Sequence, residues 1–372
     1  MNFVNSNIPG YIRYSILILG ILASGFIFYI GQDIIIPLLF AMLIAILLDP
    51  LVTFLQRIKI PRLVAITLAI LLSFLILSGL VYFIFIQLSV FNESLPMFTE
   101  KFNHVLDQSK NWISGEFNIS IESINAQLDK WGKSIFEESG ALIGNTLSTI
   151  TDLIIVWLLI PVYVYLFLYY QTLFLTFIDR ASDKKNQETI SEVLIEGKKM
   201  TQSYLIGLLL EIIIMSVLNS AGLMILGIEY AILLGIIGAF LNVIPYIGGV
   251  VSTALPMIVA LVTKDSISSP LLVLGVYILI QFIDNNFLIP LVVASRVKIN
   301  ALISIVVVLI FGALSGVSGM FLAIPLTAII KIIFDRIDSL KPYGLLLGVE
   351  VPVNSNFIKK LKKYKTKQTV KV

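Results

Sequence analysis

Apolar residues run along this chain in long blocks, and the polar positions mark where each block ends. The first block is Ile12–Ile30; a second, Ile34–Leu55, follows almost at once with Pro37 and Pro50 inside it. After the basic loop Arg57, Lys59 and Arg62 comes Leu63–Val90, long enough to project beyond a bilayer. Polar sequence extends from Phe91 to Asn145. Apolarity resumes over Thr146–Phe177 and gives way to the charged segment Asp179–Thr201. It returns in Tyr204–Leu226, Tyr230–Val262, Pro270–Ala294 and Ile299–Phe334. Blocks of this length predict membrane-crossing helices, because a helix satisfies its own backbone where no water is present. The polar stretch also reads as helical: Phe98, Phe102, Val105 and Leu106 recur at helix spacing, as do Ile121, Ile124 and Leu128.

Two of the longest blocks carry a break in their middle. Tyr230–Val262 would reach roughly 50 Å as a single helix, against a hydrocarbon core of ~30 Å. Its middle reads Asn242-Val-Ile-Pro245-Tyr246-Ile-Gly248-Gly249, where Pro245 removes a donor and the glycines permit unusual backbone angles. Ile299–Phe334 carries a weaker echo, Gly316-Val-Ser318-Gly319, and Pro256 and Pro325 sit at matching points of the two runs. Each run either crosses once with a kink or turns back as a re-entrant hairpin. Single crossings would put Arg296 and Lys298 outside. Hairpins put them inside, as the positive-inside rule prefers, and also account for the excess length. Two hairpins of this kind would have opposite orientation.

The expected fold is therefore all-α: a polytopic integral membrane protein with six to eight membrane-crossing segments and two broken, re-entrant helical hairpins in its C-terminal third. Residues 1–90 supply three spans, and 91–145 an extracytoplasmic helical insert that reads as a cap or assembly surface. Residues 146–203 hold a fourth span and an amphipathic helix on the cytoplasmic membrane surface. Residues 204–336 form the transport core with its weak internal repeat, and 337–372 a basic cytoplasmic tail. The Arg57/Lys59/Arg62 loop fixes the orientation: both termini cytoplasmic, and the insert, whose acids outnumber its lysines, outside.

Composition narrows the chemistry. The chain is 58% hydrophobic and only 13% charged, about half the charged fraction of a soluble domain. It has no cysteine, which excludes disulfides, Cys-ligated zinc and Fe–S clusters, and its sole histidine, His104, lies in the polar insert. No cofactor is implied. Gly316-Val-Ser318-Gly319 matches the short pattern of some intramembrane serine proteases, but no histidine base accompanies it, and Lys331 is a remote substitute. There is no phosphate-binding glycine loop, and the basic tail reads as a segment held near anionic lipid rather than a nucleic-acid site. The chain does not read as an enzyme.

Polar groups deep in lipid are costly and mark function by default. The strongest cluster is Gln281-Phe-Ile-Asp284-Asn285-Asn286, in the middle of its block, where an acid and adjacent amides offer oxygen ligands to a polar solute or small cation. A helix-packing hydrogen-bond network is the alternative. Asn242, Pro245, Tyr246, Gly248 and Gly249 would contribute at the first break; Ser315, Gly316, Ser318 and Gly319 at the second. Glu211, central in its own block with Asn219 two turns on, is a candidate proton carrier, or else a neutral acid bonded to a neighbouring helix. Asp33, Asp49 and Asp152 lie near block ends and read as interfacial.

These segments together resemble the autoinducer-2 exporter (AI-2E) family of PerM-like permeases. The resemblance rests on Ile36–Pro50 with Ile60-Pro61-Arg62, on Leu159-Ile-Pro161-Val-Tyr-Val-Tyr-Leu, on Gly235–Gly249, on Gln281–Pro290 and on Gly316–Pro325. One departure is visible: Tyr169, Tyr170 and Gln171 stand where such proteins often carry an acid. The resemblance implies a multi-pass transporter of the bacterial inner membrane, forming a homo-oligomer. It also implies export of a small polar solute such as autoinducer-2, or sodium/proton antiport. A non-transporting membrane scaffold and a passive channel are the readings of another class.

Overall fold

The computed structural model describes residues 10–117, 120, 125, 146–184, 186–244, 248–264, 266, 268–294 and 298–349. Among them there is no strand. In chain order the helices are α1 (Gly10–Ile30), α2 (Gln32–Arg57), α3 (Arg62–Phe117), α4 (Thr146–Tyr169), α5 (Gln171–Ala181) and α6 (Gln187–Ile225). They continue as α7 (Ala231–Asn242), α8 (Gly248–Thr263), α9 (Ser268–Ile283), a π-helical extension of α9 (Asp284–Ala294), α10 (Ala301–Arg336) and α11 (Lys341–Leu347). Five described helices are long and apolar enough to cross a membrane, or six counting the bent pair of α4 and α5. The chain is a polytopic, all-helical membrane protein.

The N-terminal half packs through small residues. Ala41, Ala45, Leu48 and Val52 of α2 meet Ala65, Ile66 and Ala69 of α3 and Val164 and Leu168 of α4. Alanines one turn apart let helix backbones approach closely, which is how helices associate in lipid. α3 is a single helix of 56 residues. At 1.5 Å per residue it extends roughly 84 Å. It runs without interruption past Phe91, so the first part of the expected insert is a continuation of the span. The remainder of that insert, apart from Ser120 and Asn125, and residues 350–372 of the basic tail lie outside the described residues.

α4 and α5 meet at a bend of 59° after Tyr169. Arg62 stabilises it, donating to the Leu168 carbonyl at 2.9 Å and to Thr172 Oγ1 at 3.4 Å. Tyr169 and Tyr170 stack edge to face at the same corner, their ring centres 4.8 Å apart. The charged segment Asp179–Thr201 differs from expectation. From Gln187 onward it forms the first turns of α6, a 39-residue helix that continues straight into the apolar Tyr204–Leu226 block. Neither a proline nor a glycine pair separates the charged turns from the apolar ones, so nothing ends the helix between them.

Both broken blocks double back. In the first, Ala231 and Leu234 of α7 share one apolar cluster with Val259 and Val262 of α8. Those residues would lie far apart on a straight helix. In the second, Ser315 and Gly316 leave the helical region, Gly316 with φ of 61°. Asn300, just before α10, reaches the carbonyls of Leu346, Leu347 and Gly348 beyond its far end. A straight helix of 36 residues would hold those ends roughly 54 Å apart.

The hairpins open at opposite ends of the molecule. Lys198 pairs with Asp49 at 2.7 Å, and Arg336 grips Glu192 and Glu196, so the C-terminal half of α2, the start of α6 and the base of the second hairpin share one end. α6 then runs to Ile225, where Tyr230 opens the first hairpin against Phe91 of α3, their ring centres 5.2 Å apart.

Candidate solute-binding site

Asn242 is the last residue of α7, and its side chain leaves the helix end at the tip of the first hairpin. The chain turns and re-enters helix at Gly248, whose N–H donates to the Ile244 carbonyl at 2.9 Å. A Cβ at Gly248 would lie 2.0 Å from the Leu241 carbonyl oxygen, so only glycine fits this return. The turn thereby places Asn242 against α9. Its Nδ2 donates to Asp284 Oδ2 at 2.9 Å, and its Oδ1 accepts from Gln281 Nε2 at 3.0 Å. Gln281 also lies beside Gly249, at 3.4 Å from the position of a Cβ there. A carboxylate only accepts, which fixes the Asn242 amide orientation.

Asp284 is 1% exposed, and its Oδ1 has no hydrogen-bond partner. It begins the π-helical extension, which contains Pro290. Proline offers no N–H and clashes with the carbonyl four residues back; widening the helix relieves the clash. Glu211 of α6 is 6% exposed and close enough to Asp284 and Tyr204 to interact electrostatically with both. Two buried carboxylates, two amides and one unspent acceptor thus lie where α6, the first hairpin tip and α9 converge. Such a group can hold a hydroxyl or amino group of a polar solute, or a small cation. Among the described residues no set of three or more His, Asp or Glu side chains is placed to hold a metal ion.

The other sequence-expected residues divide. Asn285 and Asn286 follow Asp284 in the chain but are exposed, and Asn286 Nδ2 bonds back to the Phe282 carbonyl of its own helix at 2.8 Å. Consecutive helical residues point in different directions, so this acid and its neighbouring amides do not share a face. Gly316 and Ser318 are exposed at the second tip, and Gly319 is buried, where a Cβ would sit 2.0 Å from the Phe311 carbonyl oxygen. None of the three reaches the Asn242 group. The two hairpins meet instead through apolar contact: Val243 at the first tip shares a cluster with Phe321 and Leu322 of the second hairpin and with Leu205 and Leu208 of α6. Pro245 and Tyr246 lie outside the described residues. The sequence spacing also places Tyr277 on this side of α9: Tyr277, Gln281 and Asp284 stand at i, i+4 and i+7 on one face.

A profile described as AI-2E family transporter matches residues 16–339. The chain belongs to the AI-2E transporter family. Similar members include the Bacillus subtilis protein named "Putative transport protein YrrI", 26% identical over 313 residues, covering 81% of this chain and 86% of that protein. The "AI-2 transport protein TqsA" of Escherichia coli is 24% identical over 322 residues, covering 86% and 90%. "Putative permease PerM" of the same organism is 28% identical over 218 residues, covering 59% and 60%. Family and fold agree: this is a multi-pass bacterial membrane protein of a transporter family, acting on a small solute from within the bilayer.

Proposed function

We propose that the chain is a secondary transporter of the bacterial inner membrane that exports a small polar solute of the autoinducer-2 kind. The observation carrying this reading is Asp284, buried under the tip of a doubled-back helix, held by Asn242 and left with one unspent acceptor oxygen. Helices broken inside the membrane mark substrate sites in transporters, because the freed polar groups must face protein or solute rather than lipid. Glu211 serves as the proton-coupling carboxylate, since it is an acid buried within the apolar part of α6. Both termini are cytoplasmic, the first hairpin enters from outside and the second from the cytoplasm; the basic loop at Arg57–Arg62 supports this orientation. The functional unit is a homo-oligomer, with the apolar outer faces of α1 and α3 against lipid or a second copy.

Flux in proteoliposomes tests the reading. A proton gradient should drive autoinducer-2 across membranes holding the intact chain. Asp284→Asn should lower that flux about 100-fold, the scale of one charge-assisted hydrogen bond. Flux unchanged by the substitution removes Asp284 from the site.

A further inference from the structure

A second set of buried polar groups meets at Gly238, apart from the Asn242, Gln281 and Asp284 side chains. A methyl group at Gly238 would lie 3.4 Å from Asn219 Nδ2, from Ser252 Cβ and from the Tyr277 hydroxyl. These residues come from α6, α8 and α9 and surround α7. Each is 1% exposed. Ser252 uses its hydroxyl on the Gly249 carbonyl at 3.0 Å, and Asn219 Nδ2 reaches the Gly235 carbonyl at 3.5 Å. The remaining capacity is unspent: Asn219 Oδ1 and the Tyr277 hydroxyl have no hydrogen-bond partner. Polar atoms buried at this depth are costly unless something hydrogen-bonds them.

Their chemistry selects the ligand. An amide oxygen accepts only, whereas a phenol both donates and accepts. A hydroxyl group can donate to Asn219 Oδ1 while accepting from Tyr277. A bare cation finds no carboxylate here, and an anion would be repelled by the amide oxygen. Tyr277 lies one helical turn before Gln281, on the side toward the open end of the first hairpin. Asn219 lies two turns beyond Glu211 in the same direction. Glycine at 238 keeps the intervening space free of a side chain.

We propose that Asn219 and Tyr277 form a second polar station, between the tip site and the mouth of the first hairpin, that hydrogen-bonds a hydroxyl group. The hydroxyl belongs to water or to a hydroxylated solute on its way through. The solute source rests on the transport reading above; the station itself does not.

The absence of native cysteine gives a direct test on the full chain in proteoliposomes. Ser252→Cys is nearly isosteric and places a thiol at the station. Ala260→Cys, two turns along α8 and 0% exposed in an apolar cluster, is the control. A charged methanethiosulfonate reagent needs water to reach and ionise a thiol. Ser252→Cys should react about tenfold faster than Ala260→Cys, a difference of one decade in rate. Adding Gly238→Ala, whose methyl makes only ordinary contacts, should bring the rate down to the control. Equal rates for the two cysteines overturn the station. Slowing of the Ser252→Cys reaction by autoinducer-2 assigns the hydroxyl to the solute, and no slowing assigns it to water. Tyr277→Phe guards against a misfolded cysteine variant: it should slow flux about fivefold while thermal stability stays level or rises. Unchanged flux with unchanged labelling in Tyr277→Phe refutes the proposal. A wild-type chain that moves no solute but labels as expected refutes only the transport reading.

Discussion

The two hairpins are built alike at the turn and unlike everywhere else. Each returns on a glycine pressed against a carbonyl of its own first limb: Gly248 on Leu241, Gly319 on Phe311. The first hairpin is wrapped by α6 and α9, and its tip bears an amide committed to a buried carboxylate. The second is largely apolar along its limbs, exposes Gly316 and Ser318 at its tip beside Ser315, whose Oγ is buried without a partner, and carries its ion pairs and amide contacts at its base. There Asn300 ties the first limb to α11, and Arg336 ties the second to Glu192 and Glu196. A shared turn geometry therefore does not imply a shared role. Recognition groups sit at the tip of one hairpin and anchoring groups at the foot of the other.

The largest effects should fall on what the hairpins share. Gly248→Ala and Gly319→Ala each force a methyl into backbone and should cost about 3 kcal/mol or more, read as lost thermal stability in detergent. If either is tolerated, that turn is looser than described. The next effects should separate the two. Asp284→Asn should lower flux about 100-fold, whereas Ser318→Ala at the other tip should change it less than about twofold. Equal losses would give both tips the same role.

Smaller differences sharpen the contrast. Asn242→Ala leaves Asp284 without its donor and should destabilise the protein by about 1–3 kcal/mol, with flux falling alongside. Asn300→Ala removes an N-cap, which accepts from Ile303 N–H at 2.9 Å, together with the tie to α11. It should cost roughly 1–2 kcal/mol and loosen α11, seen as faster hydrogen exchange over 341–347. Asn286→Ala should change stability by less than about 0.5 kcal/mol, because its side chain is exposed and bonded only to its own helix.

Much of this contrast was legible in the sequence. Block length together with an internal Pro/Gly break pointed to the two hairpins, because a single helix of 33 residues overshoots the hydrocarbon core. Glu211, Asn242, Gln281 and Asp284 stood out because polar residues in lipid are rare. Adjacency misled at Asn285 and Asn286: neighbours in the chain were grouped, while the helix turns them onto other faces. The pairing of Asn242 with Asp284 depends on how the first hairpin docks on α9, and no local pattern carries that. The surface helix expected at Asp179–Thr201 failed for a related reason. Charge marked its polarity correctly, but only a breaker residue would have ended it before the span.

Opposed hairpins are the frame on which the site depends, and sided thiol labelling tests them most directly. In the cysteine-free chain, Lys264→Cys marks the open end of the first hairpin, beside Gly227, and Lys298→Cys the base of the second. An impermeant maleimide should label Lys264→Cys only from outside the cell and Lys298→Cys only from the cytoplasmic side. Labelling of both from the same side would contradict the account.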